Sequence, residues 1–86
     1  MTTNFRLSHR VAISTKFLGP TNSRGSRVVA FTDTHLRLTV DWDHTLDIDE
    51  NHARAAKALA DKMEWAGEWV GGGTECGQVF VNVKPE

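Results

Sequence analysis

The chain has 86 residues, 40% of them hydrophobic and 24% charged, with a formal net charge of -1. That composition is ordinarily globular rather than disordered, and no apolar run approaches the ~18 residues of a membrane span. A single cysteine, Cys76, excludes an internal disulfide, so packing alone must hold the fold, as suits a reducing compartment.

The length suits one domain, residues 1–86, that buries only ~60–65% of the surface its unfolded chain exposes. Met1 to Arg6 show no basic-then-apolar leader, so the expected location is the cytoplasm. In chain order, Val11, Ile13, Thr15 and Phe17 alternate with Ala12, Ser14, Lys16 and Leu18, the period-two pattern of a half-buried strand. Gly19 to Ser26 then gathers Gly, Pro, Asn and Ser in one stretch, which predicts a reversal. Arg27 to Thr32 reads as a second strand and Asp33-Thr34 as a tight turn. Leu36, Leu38, Val40 and Trp42 alternate with His35, Arg37, Thr39 and Asp41 in the cleanest amphipathic strand of the chain.

A helix is predicted from Glu50 to about Trp65. Asp47 or Asp49 can cap it, and Asp47 with Glu50 has the form of a capping box. His52, Ala55, Ala56, Leu59, Ala60, Met63 and Ala66 fall on one face, and Arg54, Lys57, Asp61 and Glu64 on the other. Lys57 and Asp61 are spaced as an i,i+4 ion pair, and Gly67 suits a C-terminal stop. Glu68 to Val70 reads as a short edge segment and Gly71-Gly72-Gly73 as a flexible hairpin connection. Gln78 to Val83 forms the closing strand. The expected fold is therefore α+β: an antiparallel sheet of about four strands in the order β-β-β-α-β, with one helix on one face. Both sides of the second strand are apolar (Val28 and Ala30, Val29 and Phe31), which points to a homodimer or another partner on the open sheet face.

The near-zero net charge conceals a polarity. Residues 1–40 carry six bases against Asp33, whereas residues 41–86 carry ten acids against four bases. Such halves can attract one another within the domain, and they can steer a charged partner.

Four constellations invite a chemical reading. Asp41 to His52 holds two histidines and several carboxylates, ligand types for a divalent metal. Their spacing matches no established site, carboxylates are wanted at a helix start, and His52 falls on the apolar helix face, so no metal or cofactor is expected. Gly71-Gly72-Gly73 lacks the Lys-Ser/Thr and helix that follow in a phosphate loop. Cys76 beside Glu75 lacks the electropositive setting of a nucleophile, and no catalytic residue is assigned. The basic loop, with Lys16, Arg24 and Arg27 as candidate phosphate contacts and Arg10 in the same basic half, is a nucleic-acid reading. Against it, the chain is near neutral and its bases are not interleaved with aromatics. The acidic half supplies the other reading. Asp61, Glu64, Trp65, Glu68 and Trp69 combine negative charge with two tryptophans, residue types that anchor protein interfaces. Trp65 either projects from the charged side of the helix or turns inward beside Trp69.

The block Thr15-Lys16-Phe17-Leu18-Gly19-Pro20-Thr21-Asn22-Ser23-Arg24-Gly25-Ser26-Arg27 resembles one in short uncharacterised proteins of phages and proteobacterial mobile elements. The likeness continues through Asp43-His44, Glu50-Asn51-His52 and Val70-Gly71-Gly72-Gly73 to Val79-Phe80-Val81. It places Arg24, Arg27, His44 and His52 in the shared pattern without assigning them roles. The resemblance implies a small accessory protein that acts by binding, and some such proteins inhibit host defence nucleases, as anti-CRISPR and anti-restriction proteins do. The expectation is a non-enzymatic, cytoplasmic binding protein with a host protein as partner. The alternative is a nucleic-acid module using the Arg24–Arg27 loop.

Overall fold

The computed structural model describes residues 12–32, 36–75 and 77–85, without the side chains of 84 and 85. Strands β1 (Ala12–Leu18), β2 (Arg27–Phe31) and β3 (Arg37–Asp41) lead into helix α1 (Ile48–Lys62), and β4 (Gly67–Gly73) and β5 (Gly77–Pro85) follow. The Asp33-Thr34 turn, His35, Cys76, Val11 and the basic Arg10 lie outside the described residues. The fold is α+β as the patterning requires, with a correction: the sheet has five strands rather than four. Its order is β3-β2-β1-β5-β4, and every neighbouring pair is antiparallel. No helix among the described residues is long and apolar enough to cross a membrane.

The fifth strand arises where glycines suggest a loop. Gly71, Gly72 and Gly73 pair with Phe80, Val79 and Gln78 and extend β4 to seven residues. The Phe80 ring lies so near Gly71 that a Cβ built there would meet it at 2.6 Å. Glycine is therefore what lets this strand pass beside an aromatic side chain. A bulge between Glu68 and Trp69 leaves Val83 without an opposite residue.

The helix start follows its sequence signals. The Asp47 carboxylate accepts from the Glu50 backbone N–H at 2.7 Å, one of the free donors of a helix N-terminus. The stop does not lie at Gly67. Glu64 takes the left-handed conformation (φ 59°), its N–H bonds the Asp61 carbonyl, and the Trp65 N–H reaches back to Ala60. This paired closure usually places glycine where Glu64 stands, and the left-handed conformation costs a side-chain-bearing residue ~1–2 kcal/mol. Gly67, at φ 124°, instead opens β4.

The core lies between α1 and the sheet. Ile13, Val28, Ala30, Ala55, Ala56, Leu59 and Ala60 are its buried members, and complete burial of a side chain such as Ile13 or Leu59 stabilises by ~1.5–3 kcal/mol. The alanines let the helix lie close to the strands. It packs most extensively on β2, less on β1 and β3, and less again on β5. Residues in register show which side chains face it: Ile13 and Thr15 on β1, Val28 and Ala30 on β2, Leu38 and Val40 on β3, Phe80 and Gln78 on β5. Val79 and Val81 therefore lie on the opposite face. On that face Val29 is buried and Phe31 half-buried, while Val70 and Val83 are exposed.

Candidate functional site

The stretch Asp41–His52, with its metal-like composition, is a set of local structural bonds. Asp43 Oδ1 accepts from the Thr45 hydroxyl and, at 2.9 Å, from the Thr45 N–H. These two bonds, the hydroxyl's first, hold the Asp43 carboxyl below its usual range. Asn51 is buried and joins the loop to the helix: Oδ1 accepts from the Asp43 N–H at 2.8 Å. Its Nδ2 faces the carbonyls of Asp43, Asp47 and Leu46 at 2.9, 3.0 and 3.3 Å. His44 is exposed. Among the described residues no group of three or more His, Cys, Asp and Glu side chains could hold a metal.

His52 is buried in the core, its Nδ1 2.7 Å from Thr15 Oγ1. That hydroxyl has one proton and also faces the Gln78 carbonyl at 3.3 Å. If the proton goes to Gln78, His52 Nδ1–H is the donor to Thr15. Trp42 stands edge-on to His52, with centroids 6.4 Å apart, and to Phe17 at 5.2 Å. Burial lowers the His52 pKa from its ordinary 6.5, with Asp49 opposing weakly. The unfolded chain thus takes up this proton at a higher pH than the fold does. Stability is full above about 6.5 and falls as pH drops from there toward the lowered folded value. Asp43 acts in a separate window, contributing stability that is lost only as pH falls below its ordinary 3.8 through its lowered value. Thermal melts from pH 7.5 to 5 should show the melting temperature declining in the native chain and nearly level in His52→Gln. Parallel curves would remove His52 as the cause.

The basic candidates divide. Arg24 and Arg27 line one polar recess of about 350 Å³ with Ser23, Gly25, Thr39 and Asp41. Its loop is pinned by Thr21, whose N–H bonds the Arg24 carbonyl at 2.7 Å and whose hydroxyl accepts from the Arg24 N–H. Arg27 Nε donates to the Gly25 carbonyl at 3.2 Å. Lys16 is two register steps away, opposite Val29, and does not line the recess.

The candidates of the acidic half also divide: Asp61, Trp65 and Trp69 converge, and Glu64 and Glu68 do not. Because α1 leans toward β2, a cleft opens between it and β4. One part, about 450 Å³, is lined by Asp61, Trp65, Ala66 and Trp69 together with Ala53, Ala56, Ala60, Gly71 and Phe80. The second part, about 410 Å³, shares Ala53, Gly71 and Phe80 and continues past Gly72 and Gly73 to Asp49 and Glu50. Trp65 lies beyond the helix end, and both tryptophans are half-buried and packed against the core. Of the two orientations open to Trp65, the inward one beside Trp69 is the one adopted. Asp61 is exposed and paired with Lys57 at 2.7 Å. Glu64 and Glu68 are exposed beside the tryptophans in sequence but do not line the cleft. Asp49 accepts from Gln78 Nε2 at 2.7 Å across the far end. Behind the Trp69–Ala66 wall, Asn82 donates to the Ala66 carbonyl at 3.2 Å while its Oδ1 stays buried without a donor among the described residues. Ala53, Gly71 and Phe80, where the two parts meet, carry no functional signal of residue type. Only the i,i+3,i+7 spacing of Ala53, Ala56 and Ala60 marks a second small-residue stripe on the helix.

Fold and site together define a small sheet-and-helix protein with an aromatic, acid-rimmed cleft beside its helix. Compared with family models, curated proteins and solved structures, the chain matches none.

Proposed function

We propose that this chain is a non-enzymatic binding protein of phage or mobile-element type that acts on a host protein, and that its target is a host defence nuclease complex. The supporting observation is the convergence of Asp61, Trp65 and Trp69 on one cleft between α1 and β4. Aromatic side chains in a recess with charge at its rim are the usual make-up of an interface anchor. The phage-like sequence block adds the setting, and a host protein places the working location in the cytoplasm.

Reversing charge at Asp61, Glu64 and Glu68 to lysine should weaken capture of the host target by tenfold or more, with most of the loss relieved at high salt. Affinity purification from host extract followed by quantitative mass spectrometry reads this directly. An equal yield with the triple variant would remove the acidic surface from the function.

The recess shared by Arg24 and Arg27 favours a second reading, contact with nucleic-acid phosphates. Asp41 lines the same recess and opposes an anion there. Short duplexes binding at low salt, and lost with Arg24→Ala plus Arg27→Ala, would replace the first reading with this one.

A further inference from the structure

We infer that the cleft between α1 and β4 is a seat for a basic amphipathic helix of the partner, an inference that rests on the protein-binding reading above. The two recesses join at Ala53, Gly71 and Phe80 into one groove that runs along α1 from Asp49 to Asp61. Twelve residues of helix rise ~18 Å, so the groove accommodates three turns of a parallel or antiparallel neighbour. Its floor is the helix-side face of β5 and β4, with Phe80 and Gly71 at its centre. Two strands spaced ~4.8 Å apart provide a floor about one helix wide, and adjacent helices pack at ~8–10 Å. Alanine on the α1 wall and glycine on the β4 wall leave room for the occupant's side chains rather than supplying their own. An extended segment would instead take the outer edge of β4, which has only β5 as a strand partner among the described residues.

Charge identifies the occupant further. Asp49 and Glu50 stand at one end of the groove and Asp61 at the other, against Lys57 alone. The Glu50 side chain has no bonding partner among the described residues, whereas Lys57 and Asp61 offset one another as an ion pair, which leaves the net negative charge at the Asp49–Glu50 end. The seat therefore takes a helix with apolar residues at i, i+3 or i+4 and i+7, and with Lys or Arg at the end of that stripe that meets Asp49 and Glu50.

The test uses three fluorescent 18-residue probes titrated into the full chain: a Leu/Lys peptide of period 3.6, the same composition at period two, and the helical pattern with Glu for Lys. The helical basic peptide should bind at least tenfold more tightly than either of the others. Ala53 is exposed, so Ala53→Lys narrows the groove without entering the core; it should weaken that binding tenfold or more, whereas Val70→Lys, exposed on the other sheet face, should leave it unchanged. Equal binding of the period-two peptide, or indifference to Ala53→Lys, overturns the helical seat. So does a concentration-dependent dimer abolished by Ala53→Lys, which would assign the groove to a second copy. Host-protein capture that is sensitive to Asp61, Glu64 and Glu68 but insensitive to Ala53→Lys would sink the seat and leave the binding function standing. Loss of capture in neither variant would sink both.

Discussion

Asn51→Ala is expected to destabilise the domain by on the order of 2–4 kcal/mol, although it removes no charge and almost no apolar surface. The side chain is buried, and a single amide serves one backbone donor and three carbonyls between strand β3 and the helix. Alanine leaves the Asp43 N–H without its acceptor and the Leu46 carbonyl without the Asn51 donor, while the Asp43 and Asp47 carbonyls keep the Leu46 and Asn51 backbone N–H groups. Each buried group left unpaired costs ~1–3 kcal/mol. For a domain of this size the melting temperature should fall by more than ~10 °C. Asn51→Asp separates the two roles. It retains the acceptor but presents an oxygen to three carbonyls, so at neutral pH it should be at least as damaging as alanine. Acidification that protonates the new carboxyl should restore part of the loss. An Asn51→Ala variant within 0.5 kcal/mol of the native chain in urea unfolding would show that the loop is held elsewhere.

The second large effect is expected at Gly77, where β5 pairs with β1. A Cβ added there would overlap the Thr15 carbonyl oxygen and approach the Thr15 carbonyl carbon at 2.9 Å and the Lys16 Cα at 3.2 Å. All three are backbone atoms of the central strand, which cannot swing aside as a side chain can. Relief requires β1 and β5 to separate locally. Thr15, bonded to His52 and Gln78, would move with them. Gly77→Ala should therefore cost at least ~3 kcal/mol, at the upper end for single substitutions. Gly72→Ala is the matched comparison. Nothing lies within 4 Å of its Cβ position and its φ is not left-handed. It should be neutral or stabilise by ~0.4–1 kcal/mol through the unfolded chain's lost freedom. Urea midpoints for the two variants decide the matter. Similar midpoints would contradict the close β1–β5 approach.

Four of the five strands and the helix were legible, most of them because their residues alternate or recur strongly. β3 shows it best: Leu38 and Val40 are half-buried against α1, and Arg37, Thr39 and Asp41 are exposed. Asp47 as cap and Lys57 with Asp61 as an ion pair were also readable, since both are contacts within one turn. β4 was not. Three successive glycines carry no pattern, and only the pairing with β5 and the Phe80 ring over Gly71 make them a strand. The helix stop was misplaced for a related reason: Glu64 holds a conformation that its residue type disfavours, maintained by closure bonds to Asp61 and Ala60.

The candidate site divides in the same way. Asp61, Trp65 and Trp69 stood out by residue type, and the fold brings them to one cleft. Ala53, Gly71 and Phe80 could not be found so, because their contribution is shape. The metal-like run from Asp41 to His52 shows the converse, since much of its polar chemistry serves the helix start, the Asn51 bonds and the His52–Thr15 contact.

The opening polarity of charge is sharpened as well. The acids that matter to the cleft are Asp49, Glu50 and Asp61, while Lys16 is separated from the recess of Arg24 and Arg27. By itself the sequence determined an α+β domain with an alanine-faced helix, since hydrophobic period and capping chemistry are local properties of the chain. Only the tertiary structure decided which face of each strand meets the helix. Period two in β5 separates Val79 and Val81 from Gln78 and Phe80 but is symmetric between faces, and the register with Ile13 and Thr15 turned Phe80 and Gln78 toward the helix. That choice placed an aromatic floor between α1 and β4, and with it the cleft.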